Sequence, residues 1–105
     1  MLSKSPAKGM RDFLPKEFAL RQQVLAIIQQ TYESYGFSRI ETPVVENIDL
    51  LTSKQGGDNE KLIFKVLKRG EKLKLESAKN ESDLVDMGLR YDLTLPLARF
   101  YANNA

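Results

Sequence analysis

The run from Lys16 to Tyr35, bracketed by Pro15 and Gly36, constrains this chain more than any other feature. Leu20, Val24, Ile27, Ile28 and Tyr35 recur at helical spacing. Leu25 and Tyr32 widen the same stripe, while Arg21, Gln22, Gln29 and Glu33 fall mostly elsewhere. The pattern predicts one amphipathic helix of about five turns. Proline suits the first turn, where its missing N–H has no helical partner to lose, and glycine most readily takes the left-handed conformation that ends a helix. A chain of 105 residues has room for that helix and one modest core.

Around the helix the signals are shorter. Residues 1–9, MLSKSPAKG, are small and polar and read as a flexible arm. "FSRIETPVVE", 37–46, is rich in β-branched residues and interrupted by Pro43, which cannot donate to a ladder. It predicts a short strand, a break, and an edge that is exposed or faces an interface. Asn47 can cap a short helix through "IDLLTSK", and residues 55–59, QGGDN, read as a loop. Residues 61–76 admit two readings: a hairpin turning at Arg69-Gly70, or a strand at 62–68 pairing with one at 88–92 across a polar excursion at 77–86. Periodicity does not choose between them. Leu95, Leu97, Ala98, Phe100, Tyr101 and Ala102 fit a last helix with Thr94 as its cap and Pro96 in its first turn. Nothing in the sequence stops that helix by Ala105, as expected of a piece of a longer protein. The order helix, strand, helix, strand, strand, helix predicts an α+β fold rather than a βαβ series.

Composition narrows the chemistry. With 42% hydrophobic and 29% charged residues the chain is an ordinary globular one. It has no stretch apolar enough to span a membrane and no secretory h-region, so no membrane partner and a cytoplasmic location are expected. The absence of cysteine and histidine excludes disulfides, thiolate zinc sites and the commonest general base. No metal site is expected, and any chemistry must use carboxylates, hydroxyls, cations or bound ions. A net charge of +2 nominates no nucleic-acid partner.

The stretch "LRYDLTLPLAR", 89–99, holds the candidate binding groups. On an extended segment Asp92 and Thr94 project to the same side, where a carboxylate and a hydroxyl can grip the three donors of a primary ammonium. The competing reading makes Thr94 a helix cap and pairs Asp92 with Arg90 or a helix N-terminus. Arg90 is expected in an ion pair with Asp92 or Glu41. Lys61, Lys65, Lys68, Arg69, Lys72 and Lys74 alternate with apolar positions, as they would along a phosphate backbone or on the solvated face of paired strands. Gly56-Gly57 lacks the spacing of a phosphate loop and reads as a turn.

Three stretches in order, "KGMRDFLP" (8–15), "YGFSRIETPVVE" (35–46) and "LRYDLTLPLARFYANN" (89–104), together resemble the N-terminal part of the histidyl-tRNA synthetases, class II aminoacyl-tRNA synthetases; the intervening "GGDNEKLIFKV" also fits. The resemblance implies that residues 1–105 are part of a class II catalytic domain: a long motif 1 helix, mainly antiparallel strands and flanking helices. It implies a homodimer interface built on the helix and on Gly36, Phe37, Ile40, Pro43 and Val44. It also implies that Asp92, Leu93 and Thr94 hold the α-ammonium of histidine. The implied reaction activates histidine with ATP and Mg²⁺ and transfers it to tRNA(His). Motif 2, the histidine-specific arginine segment, motif 3 and the anticodon-binding domain do not occur in these 105 residues, so no catalytic residue is assigned and the chain alone is expected to be inactive. Residues 69–87 read as an insertion in the family pattern, which favours pairing 62–68 with 88–92. Two alternatives are a synthetase-like regulatory subunit of ATP phosphoribosyltransferase and a stand-alone dimerisation or nucleic-acid-binding module.

Overall fold

The computed structural model describes residues 2–52 and 61–105 and divides into two compact units, Met1–Ile40 and Glu41–Ala105. The expected loop at 55–59, Gly56-Gly57 included, lies outside the described residues, as do Ser53 and Lys54 of the expected short helix.

In the first unit, helix α1 spans Pro15–Ser34, with Pro15 opening it as the sequence predicts. Leu14 precedes it in an extended conformation without a side-chain cap; Glu17 supplies the favourable first-turn negative charge and pairs with Arg11. The guanidinium groups of Arg11 and Arg21 lie 4.4 and 4.8 Å from the centre of the Phe13 ring. The far end is a Schellman motif. Gly36, at φ +90°, donates to the Glu33 carbonyl (3.0 Å), and the Phe37 N–H reaches back to Tyr32 (3.2 Å). The apolar contact that accompanies this motif is present as an edge-on stack of Tyr32 and Phe37, 5.6 Å between centroids. No residue of α1 is buried: Leu20, Val24, Ile27 and Ile28 all face solvent, so the stripe has the predicted pattern without a covering layer.

The second unit is a three-stranded antiparallel sheet of order β1-β3-β2, with β1 at Val45–Asn47, β2 at Lys65–Leu67 and β3 at Val85–Leu89. Helix α2 (Ile48–Thr52) follows β1 directly, and α3 (Thr94–Asn104) follows β3. The buried apolar core of the described residues is small: Leu51 from α2, Ile63, Val85 from β3 and Pro96 from α3. Gly88 occupies the middle of the central strand, paired with Glu46 on one side and Lys65 on the other, and its missing side chain makes room for Ile63 and Leu51.

The strands correct several expectations. Of 37–46 only Val45 and Glu46 enter a ladder, and the strand extends to Asn47; Pro43 has no N–H to give, and pairing is prefigured at Val44, whose carbonyl accepts the Arg90 N–H at 2.9 Å. The hairpin at 61–76 does not form. Residues 70–72 make a 3-10 turn instead, and β2 pairs with β3. The later strand runs Val85–Leu89 rather than 88–92, so residues 85–87 of the supposed insertion are central sheet. A bulge makes this possible: Val66 faces Met87 and Leu67 faces Val85, leaving Asp86 opposite nothing, with its Oδ1 buried and unbonded. After Arg90 the chain bends at 91–93, and Leu93, not Thr94, is the N-cap of α3.

Candidate amino-acid site

The candidate residues sit where β3 hands over to α3. Asp92, Leu93 and Thr94 are all exposed; Asp92 and Leu93 lie on a bend and Thr94 opens α3, rather than all three lying on the extended segment assumed for a shared face. They are nevertheless brought together by a local turn: Asp92 Oδ1 accepts the Thr94 backbone N–H at 2.9 Å. That bond uses one of the helix's free N–H groups and sets a carboxylate against the positive end of the helix dipole. It consumes one oxygen of Asp92 and only the backbone of Thr94. Among the described residues the Thr94 hydroxyl has no hydrogen-bond partner and Asp92 has no ion pair. A carboxylate oxygen and a hydroxyl therefore remain to accept from an incoming ammonium. The helix-terminus reading of Asp92 and the ligand reading are thus compatible, because the carboxylate has acceptor capacity for both.

Arg90 does something the sequence did not suggest. It pairs with neither Asp92 nor Glu41; its Nη1 donates to the Thr42 carbonyl (2.7 Å), the Thr42 hydroxyl (3.1 Å) and the Pro43 carbonyl (3.2 Å). Arg99 and Glu46 were not singled out at all. Arg99 grips Glu46 through two parallel bonds, Nε to Oε1 at 3.0 Å and Nη2 to Oε2 at 3.1 Å, and the Glu46 side chain is only 6% exposed. The available signal was a charge embedded in an apolar run at each position, "PVVEN" and "LPLARF".

The lysine series is interleaved with acidic side chains. Lys65 pairs with Glu81, and Lys68, Lys72 and Lys74, joined by Lys79, share an open groove of about 860 Å³ with Glu71, Asp83 and Asp86. Among the described residues no three acidic side chains are grouped so as to hold a metal ion. No described helix is long and apolar enough to cross a membrane. Of the expected interface residues, Phe37, Ile40 and Val44 are solvent-exposed, and Gly36 and Pro43 lie beside them in sequence.

Comparison with known proteins places this geometry. The family model for histidyl-tRNA synthetase matches residues 9–105. A histidine–tRNA ligase from Leifsonia xyli subsp. xyli is 50% identical over 105 residues, covering 95% of this chain and 24% of that protein. A probable histidine–tRNA ligase from Tropheryma whipplei is 43% identical over 99 residues, covering 94% and 23%. The crystal structure of histidyl-tRNA synthetase from Nostoc sp. PCC 7120 superposes with a TM-score of 0.72 at 31% identity, over 98% of this chain and 20% of that one. The fold is thus that of a class II aminoacyl-tRNA synthetase, in its α+β N-terminal part. The chain belongs to the histidyl-tRNA synthetase family. It spans about a quarter of the length of the curated relatives it matches.

Proposed function

We propose that this chain is the part of a histidine–tRNA ligase that carries the subunit contact and the ammonium half of the histidine site. The observation that carries the reading is the turn at the head of α3, where Asp92 is held by the Thr94 N–H while its second oxygen and the Thr94 hydroxyl stay unused. The whole enzyme joins the histidine carboxylate to the α-phosphate of ATP, releasing pyrophosphate, and then passes the histidyl group from the adenylate to the terminal ribose hydroxyl of tRNA(His), releasing AMP. Neither step requires a protein nucleophile, which suits a chain without histidine or cysteine. Asp92 and Thr94 orient the amino acid by its ammonium, leaving its carboxylate free to attack; Leu93 sets the bend between them. ATP and Mg²⁺ belong to the whole enzyme's reaction, and no step of it is assigned to the residues of this chain.

The exposed stripe of α1, together with Gly36, Phe37, Ile40, Pro43 and Val44, forms the homodimer contact. Support comes from four large apolar side chains, Leu20, Val24, Ile27 and Ile28, exposed on one helix. The test of the site is the histidine KM of the full-length enzyme in ATP–pyrophosphate exchange. Asp92→Ala should raise it by roughly tenfold or more, the loss of one charge-assisted hydrogen bond to an ammonium. An unchanged KM removes Asp92 from the site.

A further inference from the structure

We propose that Arg90 and Arg99 are positioning residues for the ammonium site, bracing the turn at 91–94 from both sides against residues 42–46. The inference rests on the assignment of Asp92 and Thr94 as ammonium ligands. Asp92 stands on the bend at 91–93 and Thr94 on the first residue of α3, both outside the ladder, so beyond the bond between them little in their own backbone ties them to the sheet. A site that must present two acceptors to one small cation needs its angles held by something else.

The two arginines supply the restraint. At the strand end, Arg90 adds three side-chain donations to Thr42 and Pro43 to its backbone bond with Val44, so the residue two before Asp92 is fixed at four points. On the helix side, Arg99 is locked to Glu46 by a planar fork that tolerates little rotation of α3. Glu46 is itself immobilised: it is the middle residue of β1, paired with Gly88 of the central strand. Both anchors therefore end on one short segment, and the turn is suspended between them. Fold stability alone does not account for the Arg99–Glu46 pair, because desolvating the buried carboxylate offsets much of its attraction to the half-buried guanidinium. Their directional bonds set the geometry of what lies between.

Lysine keeps the charge but not the fork, so Arg99→Lys in the full-length enzyme separates positioning from electrostatics, while Arg90→Met removes the donor that Nη1 presents to Thr42 and Pro43. Glu46→Gln provides a third, nearly isosteric variant. Each should raise the histidine KM by roughly tenfold, the scale of a small misplacement of a binding group. The KM for ATP and kcat should stay within about twofold. A purely structural role would lower the melting temperature and leave the histidine KM of the folded enzyme untouched; that result in all three variants overturns the proposal. Asp92→Asn, measured alongside, separates the two failures. If it raises the histidine KM while the arginine variants do not, the ammonium site stands and the positioning role falls. If Asp92→Asn is also silent, both fall together.

Discussion

Replacing Gly88 with alanine would put a methyl group where the sheet has no space for one. A Cβ built there stands 3.0 Å from Ile63 Cγ2, 3.0 Å from Leu51 Cδ1 and 3.3 Å from the Phe64 carbonyl oxygen. Carbon atoms prefer about 3.5–4.0 Å, so both side chains must retreat by roughly half an ångström or more. Both side chains are enclosed by protein, Leu51 3% and Ile63 7% exposed, and the Phe64 carbonyl is held by the Leu89 N–H at 2.8 Å. Overpacking of this kind costs about 1–3 kcal/mol, against which alanine's smaller unfolded-state entropy returns about 0.4–1 kcal/mol. The net loss expected is about 1–2 kcal/mol. In a domain of this size that lowers the melting temperature by roughly 4–15 °C. Urea denaturation should show a lower midpoint with an unchanged slope. Leu51→Val withdraws the Cδ1 atom, so the double variant should be more stable than the sum of the single losses by about 0.5 kcal/mol or more. A Gly88→Ala protein with a native midpoint, or strict additivity with Leu51→Val, would refute the reasoning.

Gly36→Ala tests the opposite case, since a Cβ at Gly36 meets nothing within 4 Å and the only cost is the backbone at φ +90°. It should lose about 1–2 kcal/mol in denaturation, and Gly36→Asn distinctly less, because asparagine tolerates that region; equal losses would count against the conformational cause. If the proposed homodimer contact uses α1, Ile27→Asp, at a position 64% exposed, should leave the full-length enzyme monomeric by light scattering where the parent is dimeric, with the circular dichroism of the subunit unchanged. A dimer that survives the charge removes this face from the interface.

Much of the local structure is legible along the chain because the forces that make it act between near neighbours. Pro15 and Gly36 bound α1 as expected, since a missing N–H and a left-handed φ are properties of single residues. The start of α3 differs from its prediction by one residue: the Leu93 carbonyl already accepts the Leu97 N–H at 3.0 Å, so Thr94 is helical, and the Asp92 carboxylate takes the Thr94 N–H. The sheet was legible only in part. Alternation at 62–68 suits either partner strand, and the choice fell to a central strand that begins at Val85 only because a bulge absorbs Asp86.

The sequence by itself therefore determined the long helix and its ends and the α+β class, and it nominated Asp92 and Thr94 as the groups to meet an ammonium. The tertiary structure alone decided that β3 lies between β1 and β2, that Arg90 turns away from the neighbouring carboxylate to the carbonyls of Thr42 and Pro43, and that Arg99 closes on Glu46. The reason is distance along the chain. An arginine's partner is whichever acceptor the fold desolvates beside it, and more than forty residues separate each of these pairs. No local pattern can select among the acceptors until the sheet has brought residues 42–46 against 90–99.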